Sequence, residues 1–514
     1  MTTSTAEQIP PSPEPAEPSG PSDESHIDRA LLAVASVVVL GTIMSILDTT
    51  VVNVAIRTLA VRFNTTLPTI QWVATGYTLA LAAVIPLSGW IADRFGTKRL
   101  YMISIFLFMC GSALSGLAWS SGSIILFRVL QGLGGGMIMP AGMTILTRAA
   151  GPQRVGRVMA IIGVPMLLGP ILGPILGGWL VDDVSWRWIF FINLPIGIAA
   201  LALALRILPR DVAAHDQKLD LAGFLLLSPG LALAIYGLAE TNSAGGFGSA
   251  KVIVPLVAGI ALLGVFVWHA LRSTHPLVDL RLFKDRTFAM SSTMLVLVVI
   301  SVFGSFLLLP LYFQTVRGES ALQAGLLLAP QGFGAMLAMP VAGILSDRTG
   351  PGKIVPFGLL GIIGSVVWLT QIGPDTSYLG TSVDLFIFGF GMGFTMMPTF
   401  TGALQSIRSE AVARASTLLN ILQQTGASIG TAVLTVILAS ALTARLGPAA
   451  SAAGGGGSTS GGPVPHHVTS LMADAFGHTF WWALALLVAA FVFSAMLPKR
   501  KPENASAGPP IPMA

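Results

Sequence analysis

Apolar residues along this chain gather into long runs, and short clusters of charge, glycine and proline separate one run from the next. A helix needs roughly 20 residues to cross a hydrocarbon core of about 30 Å. We count fourteen runs of that length between residues 30 and 497. The pattern predicts an all-α integral membrane protein with fourteen transmembrane helices.

Composition supports this class and narrows the chemistry. Of 514 residues, 53% are hydrophobic and 10% are charged, whereas soluble domains carry about 25% charge. Cys110 is the single cysteine, so no intramolecular disulfide can form, and no Cys or His spacing typical of a metal or haem site occurs. We therefore expect neither a metal nor a cofactor. The chain also lacks the phosphate-binding pattern G-x-x-x-x-G-K-[Ser/Thr], which argues against ATP hydrolysis.

The basic residues report orientation rather than binding of nucleic acid. The net charge is +5, but the cations stand between apolar runs instead of forming a basic domain. If the N-terminus is cytoplasmic, most of the 28 Lys and Arg residues fall on the cytoplasmic side. The positive-inside rule then predicts that both termini are cytoplasmic. Residues 1–27, rich in Pro, Ser and Glu, are expected to form a disordered tail.

An internal repeat divides the chain. "GWIADRFGTKR" at 89–99 recurs as "GILSDRTGPGK" at 343–353, and the offset covers eight helices. A parallel repeat in a transporter places the substrate site between the halves. We predict a six-helix bundle at 28–210, two inserted helices with linkers at 211–275, a second six-helix bundle at 276–497 with a flexible outer loop at 446–477, and a tail at 498–514.

The repeated segments resemble a signature of the major facilitator superfamily. Five further stretches are similar to its 14-helix drug:proton antiporters: "LDTTVVNVA" at 47–55, "LFRVLQGLGGG" at 126–136, "GVPMLLGPILGPILGGWL" at 163–180, "WRWIFFINLPIG" at 186–197 and "HPLVDLRLFKDRTF" at 275–288. The resemblance implies the major facilitator fold. It also implies an efflux transporter of the cell membrane that exports lipophilic, often cationic, compounds in exchange for protons. No nucleic-acid partner is expected.

Charges inside the spans are the first candidates for chemistry. A charge at the bilayer centre costs about 2.5 to 3.5 kcal/mol even on lenient scales. Asp48 and Arg128 lie roughly 12 and 8 Å below the outer surface at 1.5 Å per residue, so the two side chains can meet. We expect Asp48, next to Arg128, to take up and release the coupling proton; a permanently ionised structural pair is the alternative. Asp384 lies nearer an outer end, and its role stays open.

The repeated signature predicts a conformational gate. By resemblance, Asp93 and Arg94 belong to a cytoplasmic latch that favours the outward-open state, and Gly89 and Gly96 permit close contact there. Charge that merely fixes topology is the alternative, but it does not account for the acidic residue or the glycines. The equivalent charged positions in the second copy are Asp347 and Arg348.

The fifth apolar run combines features that a simple lipid anchor should avoid. Glycines at helical spacing allow close backbone contact, and prolines remove helical hydrogen bonds and favour bends. We expect this helix to form a close interface between the halves; a static packing seam is the alternative. The packing residues are Gly169, Gly173, Pro174, Gly177 and Gly178.

A substrate cavity should combine polar or amphipathic side chains with adaptable methionine surface. Such a surface can repack around varied ligands. The candidates are Gln71, Trp72, Tyr77, Gln314, Asp384, Met392, Asn420, Gln423 and Gln424.

Other functions remain to be weighed against multidrug export. A dedicated exporter of a single metabolite or antibiotic would have the same sequence features. An integral membrane enzyme should gather a nucleophile and a base near one membrane face, and no such set is evident. A channel is disfavoured because nothing resembles a selectivity filter. The expected partners are lipophilic substrates, protons and lipids of a bacterial inner membrane; the oligomeric state is left open.

Overall fold

The computed structural model describes residues 29–65, 67–150, 172–173, 176–209, 219–241, 247–274, 276–319, 321–405, 407, 411–447 and 465–497. Within these ranges all regular structure is helical. The long helices are α1 Arg29–Arg62, α2 Leu67–Phe95, α3 Thr97–Gly116, α4 Ser121–Ala150, α5 Asn193–Ile207, α6 Leu221–Glu240, α7 Ala250–Arg272, α8 Arg286–Thr315, α9 Ala321–Thr349, α10 Pro351–Leu369, α11 Tyr378–Gln405, α12 Val412–Leu446 and α13 His466–Ser494.

Three short helical pieces complete the described structure: Leu180–Val184, Trp188–Phe191, which precedes α5, and Leu280–Lys284, which precedes α8. Thirteen helices in the described ranges are long and apolar enough to cross a membrane. They correspond to every predicted span except the fifth, which lies largely outside the described residues. The all-helical membrane class is confirmed, and the count of fourteen stays a prediction.

The helices pair in the same way in two halves of the chain. In the first half α4 packs against α2 and α3, and α1 packs against α5. In the second half α11 packs against α9 and α10, and α8 packs against α13. These matched pairings follow the sequence repeat, because the two copies of the signature lie at the ends of α2 and α9.

The two copies also share a backbone turn. Gly96 joins α2 to α3 with φ 91° and ψ 147°, and Gly350 joins α9 to α10 with φ 84° and ψ 152°. A side chain disfavours positive φ, whereas glycine adopts it without a steric penalty. Gly96 and Gly350 are therefore required by the tight turn between the two helices that each one joins.

The halves meet mainly through α12, which contacts α2 and α4. The pair α6 and α7 lies beside this junction, with α6 against both α2 and α12. We call the end of the molecule at which α2 ends and α3 begins the basic end, because Lys98, Arg99, Arg148 and Arg414 lie there. Residues 1–28, 448–464 and 498–514 lie outside the described ranges, so the predicted tails and most of the outer loop do too.

Candidate functional site

A fully buried ion pair lies inside the first half. Asp48 of α1 and Arg128 of α4 are each 1% exposed, and Nη1 of Arg128 donates to Oδ2 of Asp48 at 2.5 Å. The structure therefore brings together the two charges that the depth estimate placed at one level. Removing one partner of such a pair leaves an uncompensated buried charge, which is costly.

Arg128 is held by several groups besides Asp48. Its Nε donates to the carbonyl oxygen of Val73 at 3.0 Å, and its Nη1 also donates to Oε1 of Gln131 at 2.9 Å. The guanidinium carbon lies 4.1 Å from the centre of the Tyr77 ring, a cation–π arrangement. Tyr77 was predicted as a substrate-cavity residue and instead lies against this charge, because α2 packs closely on α4.

Two amides that sequence reasoning did not select complete the shell of Asp48. Nε2 of Gln131 donates to Oδ1 of Asp48 at 2.8 Å, and Nδ2 of Asn193 donates to the same oxygen at 3.0 Å. Gln131 follows Arg128 by three residues, a spacing that shares one helix face. Asn193 is an amide in an otherwise apolar span. Both signals were in the sequence, but neither residue carries charge.

Three donors meet the Asp48 carboxylate: Nη1 of Arg128, which also balances its charge, Nε2 of Gln131 and Nδ2 of Asn193. Neutralising either charged side chain would leave the other as an unbalanced charge in an apolar interior. The ion pair and the two amides therefore tie α1, α4 and α5 together around one charged group.

At the basic end, Asp93 joins the two halves. Its carboxylate lies 3.4 Å from Nε of Arg414 on α12 and 3.9 Å from Nη2 of Arg148 on α4. Nearby, the hydroxyls of Ser88 and Thr417 are 3.1 Å apart across the same junction. These contacts close the molecule at this end.

The other predicted gate residues take varied positions. Gly89 is buried, Arg94 is half-buried and Arg348 is exposed. The side chain of Asp347 lies outside the described part of the structure. The acidic residue of the first copy therefore makes the described contact between the halves, and the role of the second copy stays a prediction.

A small methionine-rich cavity lies between the halves. Its volume is about 50 Å³, well below the roughly 300 to 1,000 Å³ of drug-sized ligand sites. Met392 and Gln423, both predicted as cavity residues, line it. The full lining is Met139, Met143, Leu295, Phe303, Phe306, Met339, Met392, Met396, Met397, Phe400 and Gln423. Flexible side chains of this kind can make room for a ligand by changing rotamer.

A much larger cavity of about 1140 Å³ lies toward the opposite end. Gln71 and Trp72, both predicted as cavity residues, line it together with side chains of α6 and α12. The two halves are therefore in contact at the end where α2 ends, and the large cavity lies near the end where α2 begins. That asymmetry is typical of one of the two end states of an alternating-access protein.

The remaining predicted cavity residues lie elsewhere. Gln314 is exposed near the end of α8, and Gln424 is half-buried on α12. Nδ2 of Asn420 donates to the carbonyl oxygen of Ser416 within α12 at 2.8 Å. Asp384 is only 6% exposed rather than solvated by headgroups, because α10 covers it and Ser365 Oγ donates to Oδ2 of Asp384 at 2.8 Å.

Two of the three predicted glycines of the fifth run that the structure describes, Gly173 and Gly177, face α1. A Cβ on Gly173 would overlap Thr50, and one on Gly177 would lie 3.2 Å from Val51, whereas Gly178 has open space. These contacts are within the first half, so the predicted interface between halves is not tested by them. Gly169 and Pro174 lie outside the described residues. In the described ranges, no group of three His, Cys, Asp or Glu residues could hold a metal ion.

Comparison with known proteins identifies the family. Residues 38–431 match the sequence profile of the Major Facilitator Superfamily. The chain belongs to this superfamily. It is 47% identical over 416 residues to a multidrug resistance protein B homolog of Mycobacterium tuberculosis (strain ATCC 25618 / H37Rv), covering 80% of this chain and 77% of that protein.

A second relative supports the same family, and a solved structure supports its fold. The multidrug export protein EmrB of Escherichia coli (strain K12) is 32% identical over 418 residues, covering 80% of this chain and 81% of that protein. The crystal structure of the human organic anion transporter MFSD10 aligns with a TM-score of 0.58 at 16% identity, over 89% of this chain and 99% of that one. The superfamily fold is thereby shown. With its many apolar helices, the chain is a multi-pass protein of a bacterial cytoplasmic membrane.

Proposed function

We propose that this protein is a proton-coupled antiporter that exports lipophilic, often cationic, compounds from the cytoplasm. The observation that carries the proposal is the buried Asp48 carboxylate, balanced by Arg128 and held by Gln131 and Asn193. Such an expensive group in an apolar interior is typical of a site that moves ions or protons. The names of the two bacterial relatives support drug export as the direction and purpose of transport.

The cycle alternates access to Asp48 and to the cavity between the halves. With the basic end in the cytoplasm, the described state faces outward, held closed by Asp93 and Arg414. A proton taken up by Asp48 from outside weakens its pairing with Arg128 and favours the inward-facing state. Substrate then enters the methionine-rich cavity, and the proton is released to the cytoplasm. The protein returns to the outward-facing state with the substrate bound.

The proton gradient is the sole energy source in this scheme, so neither a cofactor nor a metal is needed. The protein performs no bond chemistry on its substrate. The methionine and phenylalanine side chains around the small cavity offer contact area with few fixed hydrogen bonds, which suits varied substrates. Protons and lipophilic molecules are then the only ligands that the mechanism requires.

The test measures proton release in everted membrane vesicles. Adding a lipophilic cation such as ethidium to energised vesicles should discharge part of the proton gradient. Asp48→Asn should reduce this discharge to the level of vesicles that lack the protein, because an amide cannot carry the proton. Asp375→Asn is the matched control, since the Asp375 side chain is 81% exposed, and its discharge should equal that of the unmodified protein.

Folding has to be separated from coupling in this test. Asp48→Asn strands Arg128, which costs about 3 to 5 kcal/mol for a buried pair. The double variant Asp48→Asn with Arg128→Gln restores neutrality and should fold while remaining uncoupled. Full coupling in either variant would remove Asp48 from the mechanism. A panel of unrelated substrates separates multidrug export from the dedicated exporter, which would move a single chemical class.

A further inference from the structure

Several helices line the large cavity away from the basic end. α2 supplies Gln71, Trp72, Thr75 and Thr78, α12 supplies Ser428 and Thr431, and α6 supplies Tyr236 and Glu240. The start of α7 closes the rim with Ser249 and Lys251. At about 1140 Å³, the cavity has room for a drug-sized ligand, since such sites measure roughly 300 to 1,000 Å³.

An aromatic pair joins the helix junction to α6 inside this cavity. The rings of Trp72 and Tyr236 have centroids 5.7 Å apart and planes 30° apart. The Trp72 side chain keeps 38% of its surface exposed, so part of its ring is available to a ligand. The faces of tryptophan and tyrosine attract cations. The pair therefore forms a surface that can take an apolar body and a positive charge.

Glu240 adds a carboxylate next to this pair. It follows Tyr236 by four residues and so shares its face of α6. It is the last residue of that helix, where a negative charge interacts unfavourably with the helix dipole, so helix stability does not explain it. Among the described residues, no Lys, Arg or His nitrogen is paired with its carboxylate within 4.0 Å.

Among the described residues that line the cavity, Lys251 is the one cation, and water can solvate it. Lys251 is exposed in the first turn of α7, and Ser249 caps that helix by accepting from the Lys251 backbone N–H. Glu240 is half-buried by comparison. Solvation screens the exposed ammonium more strongly than the partly buried carboxylate. The inner wall of the cavity is thus the side that favours a positive ligand.

We propose that α6 and α7, the pair inserted between the halves, complete a lateral binding site for lipophilic cations on the exit side of the molecule. Trp72 and Tyr236 hold the apolar body of the ligand, and Glu240 balances its charge. This inference rests on the proposed function, because such cations are the substrates that an exporter of this kind would release. The site is distinct from the small methionine-rich cavity between the halves.

The test uses a cysteine placed in the cavity. Cys110→Ser removes the only native thiol, and Thr75→Cys then adds one on the cavity wall in the full-length protein reconstituted in nanodiscs. Tetraphenylphosphonium should protect this thiol from a water-soluble methanethiosulfonate reagent. Tetraphenylborate, an anion of the same shape, should protect it far less. Ser377→Cys in the same background, exposed away from the cavity, should react equally with and without either ion.

Substitutions in that background identify the groups responsible. Glu240→Gln and Trp72→Ala should each raise the half-protecting concentration of tetraphenylphosphonium by roughly tenfold, as expected for loss of a cation contact away from bulk water. Glu319→Gln changes another carboxylate outside the cavity and should leave this concentration unchanged. Unchanged protection in the Glu240→Gln protein, or equal protection by the borate and the phosphonium, would overturn the proposal.

The same assay keeps this proposal separate from the transport mechanism. Adding Asp48→Asn and Arg128→Gln should abolish proton exchange but preserve protection of the Thr75→Cys thiol. Protection of the thiol in the Cys110→Ser, Thr75→Cys protein, together with no transport by the unmodified protein, would reject the antiporter and retain the site. Transport of tetraphenylphosphonium without protection of the thiol would reject the site and retain the antiporter.

Discussion

Asn193 holds together three helices of the first half through a single amide. Its Nδ2 donates to Oδ1 of Asp48 on α1 and to Oγ of Ser112 on α3, both at 3.0 Å, while Asn193 itself begins α5. The residue is fully buried. A group in this position fixes the Asp48 carboxylate relative to α3 and α5.

Replacing this amide should weaken the fold and the coupling together. Asn193→Ala removes two buried hydrogen bonds, one of them to a carboxylate, so we expect a loss of about 2 to 4 kcal/mol of stability. Thermal unfolding in detergent should show a lower midpoint, and proton-coupled substrate release should slow. Ser104→Ala is the control, because that hydroxyl bonds within its own helix. An unchanged midpoint for Asn193→Ala would contradict the bonding described.

How far the sequence predicts a residue's role depends on how rare that residue is in its surroundings. Asp48 and Arg128 were recognisable because charge inside an apolar span is expensive. Gln131 and Asn193 were not, because neutral amides are less costly and their bonding depends on which helix faces they meet. The role of Tyr77 was equally hard to predict, because its hydroxyl and ring suit either a ligand site or a charge cluster. The packing of α2 on α4 places it against the Arg128 charge.

Between helices, glycines set how closely two backbones approach. A Cβ on Gly389 of α11 would overlap the carbonyl oxygen of Gln331 on α9, whereas one on Gly364 of α10 would meet nothing within 4 Å. The two glycines are both in helix interiors. They therefore offer a matched comparison of packing against intrinsic helix preference.

Gly389→Ala should destabilise the protein, whereas Gly364→Ala should not. The first must separate α9 from α11 and should cost about 1 to 3 kcal/mol. The second should be neutral or stabilise by up to about 1 kcal/mol, since alanine is the better helix former. Unfolding midpoints of the purified variants in one detergent measure both. Equal midpoints would mean that the α9–α11 contact is looser than described.

The sequence predicts where helices cross the membrane better than where they end. α1 ends only at Arg62 and α12 only at Leu446, and the last turn of each helix carries an arginine, Arg62 and Arg445, outside the apolar run. Hydrophobicity records the hydrocarbon core, whereas a helix continues beyond it as long as its backbone hydrogen bonds remain satisfied. Helix partners could not be predicted from apolarity, because every face of such a helix is apolar.

The two halves of the molecule are in contact at the basic end, and the large cavity lies toward the opposite end. Asp93 and Arg414 cross the junction of the halves, and Ser88 meets Thr417 beside them. The repeat in the sequence predicts two halves, but not which end is closed. Two conformations of one chain differ by only a few kcal/mol, and composition does not record so small a difference.

Weakening the crossing ion pair should open the basic end. In a Cys110→Ser background, Ser88→Cys with Thr417→Cys should form a disulfide readily, because the native oxygens lie 3.1 Å apart. Asp93→Asn should slow this cross-linking roughly fivefold, as expected from loss of about 1 kcal/mol that favours the closed state. Asp279→Asn is the control, because Asp279 caps the short helix Leu280–Lys284 before α8 and takes no part in the Asp93 ion pair. Equal rates in the Asp93 variant would show that other contacts keep the end shut.

The buried ion pair has an electrical consequence. While Asp48 is ionised, its charge and that of Arg128 cancel. In the proposed cycle, protonation of Asp48 would leave a single positive charge that the helices carry as they rearrange. A potential that is negative inside then acts on the protonated form alone, with up to about 2.3 kcal/mol per 100 mV if the charge crossed the whole field. Arg128 would thus make the cycle respond to voltage as well as to acidity.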